Sequence, residues 1–390
     1  MNPSAKGWIK KLLKELSSNE SFMALPYKEF YVALRESGFI YGSNIFVVNN
    51  SIEKTDLSDE EICKINLFTS LLYTYNHSSS RVEFIDSAID FYTAINEYKT
   101  TIFQDILGGK KSTELLEKII NKRIQIDDNI ITKKFNYFVI NALLFVDVLA
   151  YSEYLKKESI TENYIQNLER SIEAVTIEVL NSKKHKTSYD DGLIELFESS
   201  LRYQDNSQIH HTKALKNIDA LYEKYYILDI ACMATWSDRV IDDDEQNFLN
   251  TLSADLAFDE ITVEDAIASV NHFYTTYKDN IALLSSKNIV KSFYDNSSKM
   301  VSKLISRNGK RLQKELKESK ELMVLLSKYT VRDLSTDEQK QVQKQLLDVF
   351  KTIPSLAIFM LPGGALLLPL FIKFIPKLLP SAFDDNRIEE

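Results

Sequence analysis

Cysteine, proline and glycine are scarce in this chain, at two, seven and nine of 390 residues. Two cysteines, Cys63 and Cys232, supply neither a disulfide scaffold nor a cysteine-rich zinc site. So few glycines and prolines disfavour a turn-rich all-β fold. Basic residues are in the minority: 47 Lys+Arg against 56 Asp+Glu give a formal charge of −9. That balance argues against direct nucleic-acid binding, which needs a basic face. Enzyme signatures are missing as well. The chain has no H-E-x-x-H, no G-x-S-x-G and no Rossmann glycine pattern. Gly109-Lys110 lacks the earlier glycine and the following Ser/Thr of a phosphate-binding loop. The pair His210-His211 sits in a polar linker with no second ligand cluster in view, and reads as a surface pair. The expected function is therefore non-enzymatic, with no resident cofactor.

Apolar residues at 44% and charged residues at 26% describe a globular chain. The prolines are unevenly placed. Only Pro3 and Pro26 occur before residue 353, and Pro354, Pro362, Pro369, Pro376 and Pro380 follow in close order. Between residues 27 and 353 apolar residues recur near every 3.6 positions, so the fold class read here is all-α, a multi-helix bundle. Phe135–Phe145 is apolar on most sides and too short to span a bilayer, which suits a buried bundle helix. The first helix, near Trp8–Leu16, puts Trp, Ile and Leu on one face and lysines on another. It fits docking on the core, and less readily an anionic membrane surface. It lacks the unbroken apolar centre of a signal peptide. The polar run Gln204–Gln208 is the best domain boundary, closing an N-terminal helical domain over residues 1–205.

Leu221–Trp236 reads as a buried helix that runs into an acidic loop, Asp238-Arg239-Val240-Ile241-Asp242-Asp243-Asp244-Glu245. Carboxylates there cap the next helix and complement its dipole. The alternative is a hard-cation site, with Asp238, Asp242, Asp244 and Glu245 offering oxygens to calcium or magnesium. The order of acids is not that of an EF-hand. This helix–acidic loop–helix resembles the tellurite-resistance TerB-like domain, through Asp238, Ile241 and Glu245. Arg239 stands where that family usually has glycine. The TerB-like unit is expected over 212–285, and long amphipathic helices over 286–333, broken at Asn308-Gly309.

Ser335 and Glu338 form a capping-box pattern that opens a helix running toward Thr352. Residues 352–372 then carry no charge, and as a helix would be roughly 31 Å long, about one hydrocarbon thickness. Pro362-Gly363-Gly364 breaks that run, so a kinked span and a re-entrant hairpin are both open, as is a buried hairpin of a soluble core. Lysines flank the run on both sides, so charge does not set its topology.

Pro354, Pro362, Gly363, Gly364, Leu368-Pro369, Lys373, Pro376, Pro380-Ser381 and Phe383 resemble, in their spacing, the membrane segment of the LETM family. These are the leucine zipper–EF-hand-containing transmembrane proteins of the mitochondrial inner membrane. Lys328–Thr352 is similar to that family's lead-in helix, so the LETM-like region is placed at 334–383. The resemblance implies a C-terminal, proline-broken apolar membrane segment. It also implies lipid contact through residues 352–383, and links to cation–proton exchange and to ribosome binding. The family's glutamate within the segment is replaced here by Ala365, which argues against exchange by this chain alone. In that family the ribosome-binding module follows the segment, and only ten residues follow Pro380 here, so no such module is expected in this chain. The whole arrangement resembles bacterial LETM-related proteins named for biofilm association.

The reading from sequence is thus a helical protein at the cytoplasmic face of the inner membrane. Its C-terminus is inserted, and it binds a protein partner or a second copy of itself. Two alternatives stand: a cation-sensing TerB-like module, soluble or peripheral, and a subunit or regulator of a cation/proton exchanger.

Overall fold

In this chain the helix starts are written in side chains. Ser58 accepts the Glu61 amide while Glu61 returns a bond to the Ser58 amide, opening a helix at Asp59 with three acids in its first turn. The same reciprocal box forms at Asp242 with Glu245 and at Ser335 with Glu338. Thr161 caps a fourth helix by accepting the Tyr164 amide.

The computed structural model describes residues 2–18, 20–49, 57–99, 111–124, 144–188, 190–192, 194, 210–236, 241–277, 289–332, 334–353, 356 and 368–379. Among them the regular structure is helical, without strands. The helices run α1 Trp8–Ser17, α2 Glu20–Met23, α3 Tyr27–Glu36, α4 Asp59–Asn76, α5 Phe84–Lys99 and α6 Thr113–Ile124. They continue with α7 Leu144–Lys157, α8 Glu162–Ser182, α9 His211–Ala214, α10 Leu221–Thr235, α11 Asp243–Asp255 and α12 Glu260–Tyr277. The last five are α13 Ile289–Arg307, α14 Gly309–Glu318, α15 Lys320–Val331, α16 Thr336–Thr352 and α17 Leu368–Leu378. The break expected at Asn308-Gly309 is present, and Ser319 adds a second one.

The first helix docks on the core. Trp8, Ile9, Leu12 and Leu16 are buried, and Glu117 of α6 accepts the Gly7 and Ile9 amides, capping α1 from outside. Two buried ion pairs tie distant helices together. Arg123 of α6 meets Asp147 of α7 through two bonds of 2.8 and 2.9 Å, and Tyr92 donates to the same carboxylate at 3.1 Å. Arg35 of α3 meets Asp229 of α10 at 2.9 Å, joined by the Tyr31 hydroxyl at 2.7 Å. The second pair links the N-terminal helices to the region after residue 212.

Glycine is needed where α3 ends. Gly38 has φ +81°, and a Cβ there would lie 1.7 Å from the Ser43 carbonyl oxygen and 2.6 Å from the Phe273 ring. The turn lets Phe39, Ile40 and Tyr41 fold back into the core, against α12. One continuous apolar core runs from Trp8 to Ile375. Of the apolar stretch Phe135–Phe145, only Leu144 and Phe145 fall within the described residues, and both are fully buried at the start of α7.

Candidate functional site

Three places bear on function: the acidic loop, the histidine pair, and the C-terminal helices. At the acidic loop, Asp242 caps α11. Its Oδ1 accepts the Asp244 and Glu245 amides at 2.9 Å each, and its Oδ2 accepts the Lys184 amide at 3.1 Å. The amides, led by that of Glu245, hold the Asp242 carboxyl below its ordinary pKa. Glu245 accepts the Asp242 amide at 3.0 Å and is buried, whereas Asp244 is exposed. Asp238 lies outside the described residues. Both Asp242 oxygens and one of Glu245 are thus bonded to backbone amides, as the capping reading requires.

The histidine pair corrects the sequence reading. His210 is exposed, but His211 is buried and held between two carboxylates. Its Nδ1 meets Glu178 Oε2, and its Nε2 lies 2.7 Å from Asp255 Oδ2. Glu178 also accepts the His211 amide at 2.6 Å, and its Oε1 is 3.2 Å from His210 Nδ1. Burial by itself would lower the His211 pKa. The hydrogen bonds to Glu178 and Asp255 outweigh it and raise the value. The partners stand 33 and 44 residues away, on α8 and α11, so no local motif announces them. The one local signal was the doubled histidine.

Most of the expected span, residues 354–355 and 357–367, lies outside the described residues. Among the described residues no helix is long and apolar enough to cross a membrane. The described parts of the segment are Thr352, Ile353, Leu356 and the stretch 368–379, which holds α17 with Pro376 inside it. Leu368, Pro369, Leu370, Phe371, Ile372 and Ile375 are buried. The helix packs on α13 and α15. Phe371 meets Phe350 of α16 edge-on at 4.6 Å, and Lys373 reaches the Tyr294 hydroxyl of α13 at 2.9 Å. Pro354, Pro362, Gly363, Gly364, Pro380, Ser381 and Phe383 lie outside the described residues, so neither the kink nor the hairpin turn is described. The cap of α16 is reinforced by Arg332 and Lys328, which grip the Glu338 carboxylate. Arg332 leads the groups that hold its pKa well below the ordinary range.

Comparison with known proteins falls on this same end of the chain. Residues 334–390 match the family model described as LETM1-like, RBD. A 55-residue stretch is 46% identical to the mitochondrial proton/calcium exchanger protein of Drosophila melanogaster, covering 14% of this chain and 5% of that protein. A 58-residue stretch is 34% identical to the mitochondrial LETM1 domain-containing protein mdm28 of Schizosaccharomyces pombe, covering 15% of this chain and 12% of that protein. The chain thus covers only a small fraction of the length of these curated relatives. No solved structure matches. The C-terminal resemblance to the LETM family is supported, and the matched range starts at α16. The match to the RBD-type model lies on the lead-in helix and the proline-rich segment, where the resemblance implies the family's membrane segment and no ribosome-binding module.

Proposed function

We propose that this is a non-enzymatic, membrane-associated helical protein of LETM-like character, with a role in cation homeostasis or membrane organisation. The observation that carries the reading is the LETM1-like match over residues 334–390, the region that holds the uncharged run 352–372. The proposed membrane contact is made by residues 352–383, at the cytoplasmic face of an inner membrane. It involves release of α17 from α13 and α15, because its apolar residues are buried there in the described fold. Ala365 in place of an intramembrane glutamate favours a regulator or partner of an exchanger over the exchanger itself. The TerB-like character of 212–285 and the biofilm context belong to the same proposal.

The test is flotation of the purified full chain with anionic liposomes, beside a chain truncated after Lys351. Flotation of the full chain, beside a truncated chain that stays monodisperse and does not float, supports the reading. A full chain that stays at the bottom of the gradient overturns it.

The RBD description of the matching family model favours a second reading, docking on the ribosome through α16 and α17. Co-sedimentation with purified ribosomes tests it, and a chain that stays in the supernatant at low salt ends it.

A further inference from the structure

We propose that Glu178, His210 and His211 form a binding site for a divalent transition metal of the zinc class, with Asp255 as the carboxylate that orients His211. Each of the three ligands offers one donor atom, and these atoms lie within 4.8 Å of one another. Imidazole and carboxylate donors suit zinc and its first-row neighbours, whereas calcium and magnesium take oxygen.

The arrangement has the layers of a built site. His211 Nδ1 faces Glu178, and the opposite ring nitrogen lies 2.7 Å from Asp255 Oδ2. With a metal on Nδ1, Nε2 carries the proton and donates it to Asp255, the carboxylate–histidine–metal order that fixes tautomer and ring plane. The Phe248 ring closes one side of His211, edge-on at 5.4 Å. The backbone below is anchored. Ser171 of α8 donates to the Ala214 carbonyl at 3.0 Å, and Ala174 packs against Ala214, holding α9 on α8.

Charge balances as well. Two carboxylates, Glu178 and Asp255, face one buried histidine, and a divalent cation among them makes the group neutral. A metal about 2.0–2.1 Å from each donor needs donors roughly 3.3 Å apart. His210 Nδ1 is already 3.2 Å from Glu178 Oε1, and its side chain, 75% exposed, has room to rotate. The Nδ1–Glu178 contact opens by under about 1 Å. The bound ion joins α8 to the start of α9, and Asp255 ties His211 to α11.

The full-length chain, stripped with a chelator, is titrated with zinc chloride by calorimetry and with cobalt(II) by visible absorption. The expected result is one zinc per chain, and cobalt bands of tetrahedral nitrogen–oxygen ligation. His210→Ala removes an exposed side chain, so folding, checked by circular dichroism, is unaffected. It should weaken zinc at least about tenfold and abolish the cobalt bands. Asp255→Asn should weaken zinc about 10–100-fold. Asp244→Ala, in the acidic loop, should change nothing. Absence of stoichiometric uptake overturns the site, as does equal affinity in His210→Ala or a loss confined to Asp244→Ala.

Discussion

Arg35 Nε donates to Asp229 Oδ2 across 2.9 Å, yet the second tooth of this pair is not made. Arg35 Nη2 and Asp229 Oδ1 are buried and find no hydrogen-bond partner among the described residues. Arg123 and Asp147 form both bonds. The Arg35 guanidinium instead lies 5.1 Å from the Tyr31 ring centroid and 5.9 Å from that of Tyr225. Burial pushes the Asp229 carboxyl above the usual carboxylate range, and Arg35 and Tyr31 oppose that shift.

The first prediction follows from this asymmetry. Asp229→Ala leaves a cation without its counter-charge in the core and should cost about 3–5 kcal/mol. The double variant Arg35→Met with Asp229→Leu should recover most of that loss, because two desolvated charges go together. Urea unfolding of the wild type, the single and the double variant measures both. A double variant as unstable as Asp229→Ala would show that the pair itself, and not the orphaned charge, supplies the stability.

Two glycines with nearly the same backbone separate strain from space. Gly7 has φ +84° and open space where a Cβ would point, and Gly38 has φ +81° with the Ser43 carbonyl in the way. Gly7→Ala should cost about 1 kcal/mol, the left-handed penalty alone. Gly38→Ala adds a backbone clash and should cost about 1–3 kcal/mol more, on the scale of overpacking a core. Thermal unfolding of the two variants checks the difference, and equal losses would refute it.

Asp242 caps α11 while bonded to Lys184 just beyond α8, so the cap joins two helices. Asp242→Ala should cost about 1 kcal/mol near neutral pH. The sign of its pH dependence is set by the lowered folded-state pKa. The contribution is complete above the unfolded-chain value of about 3.9 and is lost as pH falls through the lower folded value. Melting temperatures of wild type and variant should therefore converge once pH falls below the lowered folded-state value. A gap that persists there would exclude the carboxylate as its source.

Local chemistry was legible in the sequence and long-range pairing was not. The capping box of Ser335 and Glu338, the helix from Leu221, and the break at Asn308 each depend on a few adjacent residues, and each is present. Arg35 and Asp229 are separated by 194 residues, and His211 lies 44 residues from Asp255, distances at which periodicity carries no information. The C-terminal segment stays ambiguous for a physical reason. An uncharged run is equally suited to lipid and to a protein interior, and α17 shows its described part taking the interior.

That choice sets the last prediction, which tests the proposed membrane role from the protein side. Phe371 is fully buried, edge-on to Phe350, in the face that holds α17 on its neighbours. Phe371→Ala removes packing worth about 3–5 kcal/mol from the docked state. It removes less from the lipid-engaged state, because a lipid surface re-forms around a smaller side chain. Only the cavity part of that loss differs between the two states, so their ratio should shift toward lipid by about tenfold. Liposome flotation should then rise in Phe371→Ala. A variant exposed on α17, Lys377→Ala, leaves docking intact and should float no better than wild type. A Phe371→Ala chain that melts earlier and floats no more than wild type would mean that α17 serves the protein core alone.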